Sequence, residues 1–248
     1  MSVLAKLRKE QDNAPKKMFI VVCGQRLSGK STIIGTLPGK TLMLQAAVLE
    51  SGSESAKALA AQLGNDLDVL TFNSVDQLVE ILTELETDTE YDNVAVDSLT
   101  AVTEFKSKEK EIIRVAKTNG FAAYKQIGEG SIDVIEKLKG LTYPSRVKKA
   151  KNAIITAALK IKHDKNGGIA EVDLETRGQM AVVAVTKYGE AVVTVIPAQQ
   201  TEEGELPHRL ITKSLGFWPG RVDGLLSHQN PGELPADLSA VLALRSGG

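Results

Sequence analysis

Cysteine is almost missing: Cys23 is the only one in 248 residues, so no disulfide can form within the chain. It closes an apolar run, which makes it a buried, inert thiol rather than a nucleophile. Aromatics make up only 4% of the sequence, so base stacking cannot be a broad source of nucleic-acid affinity. No apolar run approaches the ~18 residues that a membrane span needs, and the polar start MSVLAKLRKEQDNAP does not read as a secretory signal. The expectation is a cytoplasmic protein without a membrane partner. Net charge is also lacking, at −1, which excludes bulk attraction to nucleic acid but leaves room for a local basic patch. The three histidines, His163, His208 and His228, are scattered without cysteine or carboxylate at metal-ligand spacing, so no zinc site is expected. No G-x-S-x-G elbow is present either.

What is there centres on Phe19 to Thr32, FIVVCGQRLSGKST. A β-branched and apolar run stops at Gly24, and Gly29-Lys30-Ser31 opens a predicted helix, giving G-x-x-x-x-G-K-S in a strand-loop-helix context. That is a phosphate-binding loop. Backbone N–H groups of Gly24, Gln25, Arg26, Leu27, Ser28, Gly29, Lys30, Ser31 and Thr32 would curl around a β-phosphate, glycine permitting the close approach. Lys30 would supply charge to the β- and γ-phosphates, Ser31 a hydroxyl to Mg²⁺, and the following helix its N-terminal dipole.

The chain divides into an arm over residues 1–14, with Val3, Leu4 and Leu7 on one helical face, a core over 15–225 and a tail over 226–248. After the loop a helix is expected over Gly29 to Thr36, stopped by Pro38-Gly39, and then a strand at Thr41 to Leu44. Ser51 with Glu54, and Ser74 with Gln77, have capping-box spacing at two helix starts, which leaves Glu50 the freer carboxylate. The strand Asn93 to Asp97 ends in a carboxylate, where a second element must hold Mg²⁺ together with Ser31; the alternative is a helix N-cap. Leu99 to Leu141 reads as mainly helical. A buried strand follows at Lys151 to Ala158, then a charged, glycine-bearing loop, and then Met180 to Thr186 and Ala191 to Ile196 as a hairpin turning at Lys187 to Glu190. From Arg146 to Lys165 there are seven Lys or Arg against a single Asp, readable as stems packed around a strand end or as a nucleic-acid patch.

Two strand-helix pairs stand between the phosphate loop and V94AVDS98, and the core closes in antiparallel strands. In this order of parts the chain resembles the RecA-like ATPase core, an α/β fold with a mainly parallel sheet and a C-terminal antiparallel hairpin. More narrowly it resembles the phage-encoded Sak-type proteins of single-strand annealing and recombination, across residues 15–225. The resemblance implies ATP and Mg²⁺ as cofactors, Lys30 and Asp97 as catalytic groups, and an oligomeric ring or filament. It also implies single-stranded DNA as a partner, with a single-strand-binding or replication protein as another. It places Lys117, Asn119 and Lys125 at one DNA-facing loop, and Lys160, Lys162, Lys165 and Arg177 at a second. Lys187, Arg209, Lys213 and Arg221 become candidates to complete a neighbour's site. The family's acidic residue after the second strand is replaced here by Gln45-Ala46-Ala47, which makes Glu50 the water-orienting candidate. Its glutamine at the end of the later strand is replaced by Ala157-Ala158, leaving Thr156 or Lys160. These two replacements imply slow hydrolysis, or nucleotide used mainly as an assembly switch; a nucleotide-gated adaptor or loader without DNA contact is the alternative function.

Overall fold

A computed structural model describes residues 2–3, 17–176, 187–201, 204–225 and 228–246. Its centre is a parallel sheet of β1 (Phe19–Gly24), β2 (Lys40–Ala46), β3 (Asp66–Phe72), β4 (Asn93–Asp97), β5 (Asn152–His163) and β7 (Ala191–Ile196). β6 (Ile169–Leu174) folds back antiparallel on the far end of β5. β8 (Gln199–Thr201) and β9 (Gly204–Leu206) form a separate ribbon. β10 (Arg209–Ile211), β11 (Arg221–Val222) and β12 (Glu233–Pro235) extend the sheet antiparallel beyond β7. The path runs β3-β2-β4-β5-β1-β7-β10-β12. β5 therefore lies between the phosphate-loop strand and the aspartate strand.

The central strands are apolar on both faces, as a sheet covered on both sides requires. On one face Phe19, Val21, Leu42, Leu44, Val94, Val96 and Ile155 meet α2 (Val75–Glu84), α3 (Leu99–Ser107) and the long α5 (Gly120–Gly140). On the other, Ile20, Val22, Met43, Ala95, Ile154 and Val193 meet a 3₁₀ turn at Thr32–Thr36, α1 (Ser53–Leu63) and α6 (Leu238–Ser246). The amphipathic α4 (Lys110–Thr118) stands apart: Ile112 packs only into a small cluster with Ala123 and Ile127.

Two expectations change. The helix expected over Gly29 to Thr36 forms only as a five-residue 3₁₀ turn over Thr32–Thr36, pressed so close to α1 that a Cβ on Gly35 would meet the Ala56 carbonyl at 2.3 Å. The dipole available to the phosphate loop is correspondingly small. The first capping box does not form: Gly52 is the N-cap, no side chain caps it, and Glu54 points to Lys57 in solvent. The second does cap, with Ser74 accepting from the Gln77 amide. The strand expected at Met180 to Thr186 lies outside the described residues; Lys187 and Tyr188 are helical, and the antiparallel C-terminal part of the sheet is formed by β7 with β10. Most of the N-terminal arm also lies outside the described residues.

β5 also splits the basic cluster. Arg146 to Lys151 sit before its first residue and Lys160 to Lys165 run from its ninth onward, so roughly 30 Å of extended chain separates the halves. The first half is structural. Lys151 is fully buried, donates to the Leu85, Asp88 and Lys149 carbonyls at 2.8–3.1 Å and pairs with Asp88, while Lys149 pairs with Asp92.

Candidate functional site

At the C-terminal edge of the sheet, the segments that follow β1, β2 and β4, together with Ala158 of β5, line one cleft of about 520 Å³. β1 delivers the loop. Its glycines are there for space: a Cβ on Gly24 would stand 2.4 Å from Ser28 Oγ, and Gly29 has φ +90°, which disfavours any side chain. Leu27 and Val48, both at the rim, also have positive φ (62° and 67°) although neither is glycine, and both are fully exposed. Such backbone is costly and concentrates at ligand clamps.

Lys30, half-buried, donates from Nζ to the Gln25 carbonyl at 2.6 Å, so its charge folds back over the loop. Burial pushes its pKa down, partly offset by Asp97 and Glu50. Ser31 Oγ donates to Asp97 Oδ2 at 2.7 Å, and Thr156 donates to the other oxygen, Oδ1. Asp97, 1% exposed, is thus fixed from both neighbouring directions and faces the loop. It is not an N-cap. That place is taken by Ser98, which accepts from the Ala101 amide at 3.2 Å and donates to Glu50 Oε1 at 2.6 Å.

Glu50 therefore does reach the cleft from the loop after β2, held by a residue 48 positions away. Burial raises its pKa most, the Asp97 charge raises it further, and Ser98, Lys30 and Arg26 pull back. A half-buried carboxylate kept more basic than usual, lining one cleft with Lys30, can accept a proton there. Among the described residues Ser28 Oγ is buried with no hydrogen-bond partner although it lines the cleft. An orphaned hydroxyl on a glycine-built loop is an acceptable donor for a phosphate oxygen. The pair of oxygens from Ser31 and Asp97 suits a hard divalent cation. The residues present thus fit a nucleotide phosphate chain with Mg²⁺. Thr32 completes the loop by sharing a hydrogen bond with Ser55.

Sequence reasoning missed Ser98, Thr156 in its role of holding Asp97, and Gly52. A Cβ on Gly52 would sit 2.4 Å from Ser31 Cβ, so this glycine is what lets α1 approach the loop. No local pattern signals it.

The nucleic-acid candidates fall into two groups at this edge of the sheet. Lys137, near the foot of α5, donates to Thr83 at the end of α2, so the N-terminus of α5, with Lys117, Asn119 and Lys125, lies towards the edge that carries the loop. Asn119 caps α5 by accepting from the Ala122 amide, and Lys125 lies 3.7 Å from Glu129. Lys160, Lys162 and Lys165 ride on the β5–β6 hairpin; Lys160 and Lys165 are exposed, while Lys162 is paired with Glu171 at 2.6 Å. Arg177 lies outside the described residues. Of the residues considered for a neighbour's site, Arg209 pairs with Glu233, Arg221 with Asp223, and Lys187 lies over the Tyr188 ring. Lys213 is exposed.

A family model described as an AAA domain matches residues 16–202. No curated protein matches the chain. Among the described residues no helix is long and apolar enough to cross a membrane.

Proposed function

The chain belongs to this AAA-domain family of P-loop ATPases, and from that premise we propose that its ATP- and Mg²⁺-dependent state binds single-stranded DNA and promotes annealing or recombination, acting as an oligomer. The observation that carries the enzymatic part is the run of contacts Ser31–Asp97–Thr156 beside Glu50–Ser98, all opening on the Lys30 loop.

In that role Lys30 exchanges the Gln25 carbonyl for phosphate oxygens. Ser28 gives its free hydroxyl to the same chain, and Ser31 and Asp97 hold the metal. Magnesium, when bound, would supply positive charge against the negative charge developing on the phosphate oxygens. Glu50, oriented by Ser98, takes the proton from the attacking water. Because Glu50 reaches the cleft from a loop rather than from the end of β2, and Gln45 occupies the strand end, slow turnover is expected.

The nucleic-acid part is supported by the resemblance to the Sak-type recombination proteins and by the placing of Lys117, Lys160 and Lys165 towards the nucleotide edge. A second reading, a nucleotide-gated adaptor or loader that contacts only protein, draws support from the net charge of −1 and from Lys125 and Lys162 having carboxylate neighbours.

Binding of a labelled single-stranded oligonucleotide, titrated with salt in the presence and absence of an ATP analogue, separates the two. Affinity that appears with the analogue and falls steeply with salt supports DNA binding, since phosphate contacts release counterions. No binding at low salt with the analogue bound would refute it in favour of the adaptor.

A further inference from the structure

Arg26 and Glu175 are 149 residues apart in sequence and meet in a forked ion pair, Nη2 to Oε1 at 2.9 Å and Nε to Oε2 at 3.3 Å. Each belongs to a different working part. Arg26 is a phosphate-loop residue. Glu175 directly follows β6, and its amide donates to the Ala158 carbonyl at 2.7 Å, which fixes the foot of the hairpin bearing Lys160, Lys162 and Lys165. Arg26 also lines two clefts at once: the loop cleft, and a neighbouring one of about 620 Å³ walled by Thr103, Lys160, Leu174, Glu175 and Thr176. The second cleft separates α3 from the hairpin's foot. There Thr176 Oγ1 is buried and has no partner among the described residues.

We propose that the Arg26–Glu175 pair is a latch through which occupancy of the phosphate loop governs the β5–β6 hairpin. With the loop empty, the guanidinium holds Glu175 and with it the hairpin's foot. A triphosphate offers the same guanidinium a better fork of oxygens with more charge. The existing pair yields readily because Arg26 is 76% exposed and solvent screens it. Once released, Glu175 stands as a carboxylate beside a polyanion, and repulsion moves the foot away while leaving the hairpin's lysines free to engage another anion. The latch rests on the reading that the loop binds a triphosphate.

Hydrogen exchange on the full chain tests it, reading the amides that pair β5 with β6 at positions 159–174. In the unaltered chain a non-hydrolysable ATP analogue with Mg²⁺ should speed their exchange by about fivefold, the scale set by one exposed ion pair. Glu175→Gln should show that faster exchange without nucleotide, with little further response to the analogue. Arg26→Gln should likewise free the hairpin in the absence of nucleotide.

Unchanged exchange in the unaltered chain while the analogue is bound would overturn the latch and leave the nucleotide site standing. So would a full response to the analogue in Glu175→Gln, or loss of protection throughout β1 and β4 in that variant, which would make Glu175 a fold residue instead. Absence of analogue binding would overturn the site reading itself, and the latch with it.

Discussion

Replacing Gly52 by alanine probes the site through a residue that carries no chemistry. Its backbone, φ −80° and ψ −1°, suits alanine, so the change adds a methyl and no dihedral strain. That methyl would lie 2.4 Å from Ser31 Cβ and 2.5 Å from Ser31 Oγ, about 1 Å inside ordinary contact. Relieving it costs about 1–3 kcal/mol of stability by overpacking. The displaced group is the one that donates to Asp97 at 2.7 Å, and a shift of that size breaks the bond. Misplacing a positioning group by about 1 Å commonly costs on the order of 10²-fold in rate. Gly120→Ala is the control, because nothing lies within 4 Å of a Cβ there. The assay is ATP turnover and Mg²⁺-dependent nucleotide affinity, with thermal unfolding alongside. Gly52→Ala should lose turnover and the effect of Mg²⁺ far beyond its loss of stability, and Gly120→Ala should lose neither. A Gly52→Ala chain with unaltered turnover would refute the steric argument and the placement of Ser31 in the site.

Glu50→Gln should keep nucleotide affinity and lose about 10²-fold or more in turnover. In the unaltered chain the acid limb of kcat/KM should lie above the ordinary 4.5 of a glutamate, because burial raises Glu50, and the alkaline limb below 10.5, because burial lowers Lys30. Ser28→Ala should leave thermal stability nearly unchanged, since its hydroxyl has no partner to lose among the described residues, while nucleotide affinity drops several-fold in calorimetry. Glu190, which accepts from the Phe19 amide and pairs with Lys139 and Arg245, is pushed up by burial but held net below 4.5 by Lys139, Phe19 and Arg245. Its folded pKa is depressed, so its contribution is full above the unfolded value and fades as pH falls through the folded one. Glu190→Gln should therefore cost about 1.5–3 kcal/mol near neutrality, the worth of hydrogen bonds to a charged group. The cost should shrink in acid, as followed by chemical denaturation across pH.

Much of the sheet was legible because its strands are continuous apolar runs that end on chemistry: β1 on Gly24 and β4 on Asp97. Those features are local, and the pairing of Ser31 with Asp97 follows once both lie at the same edge. What stayed hidden depends on contacts between distant segments. Glu50 could be named as a candidate, but Ser98, which aims it, looked like an ordinary cap. The seven basic residues near β5 looked like one patch because sequence does not reveal that a 12-residue strand carries its two ends to opposite edges of the sheet. The expected helix after the loop failed because space beside α1, not local propensity, set its length. Arg26 read only as a phosphate-loop residue, because nothing local points to Glu175, 149 positions away, as its partner.

The most direct measurement is calorimetric titration of ATP, with and without Mg²⁺, into the unaltered chain, Lys30→Ala and Asp97→Asn. The account expects Mg²⁺ to tighten binding in the unaltered chain, that gain to vanish in Asp97→Asn, and binding itself to vanish in Lys30→Ala. An Asp97→Asn chain that keeps the full Mg²⁺ effect, or a Lys30→Ala chain that binds ATP normally, would contradict it.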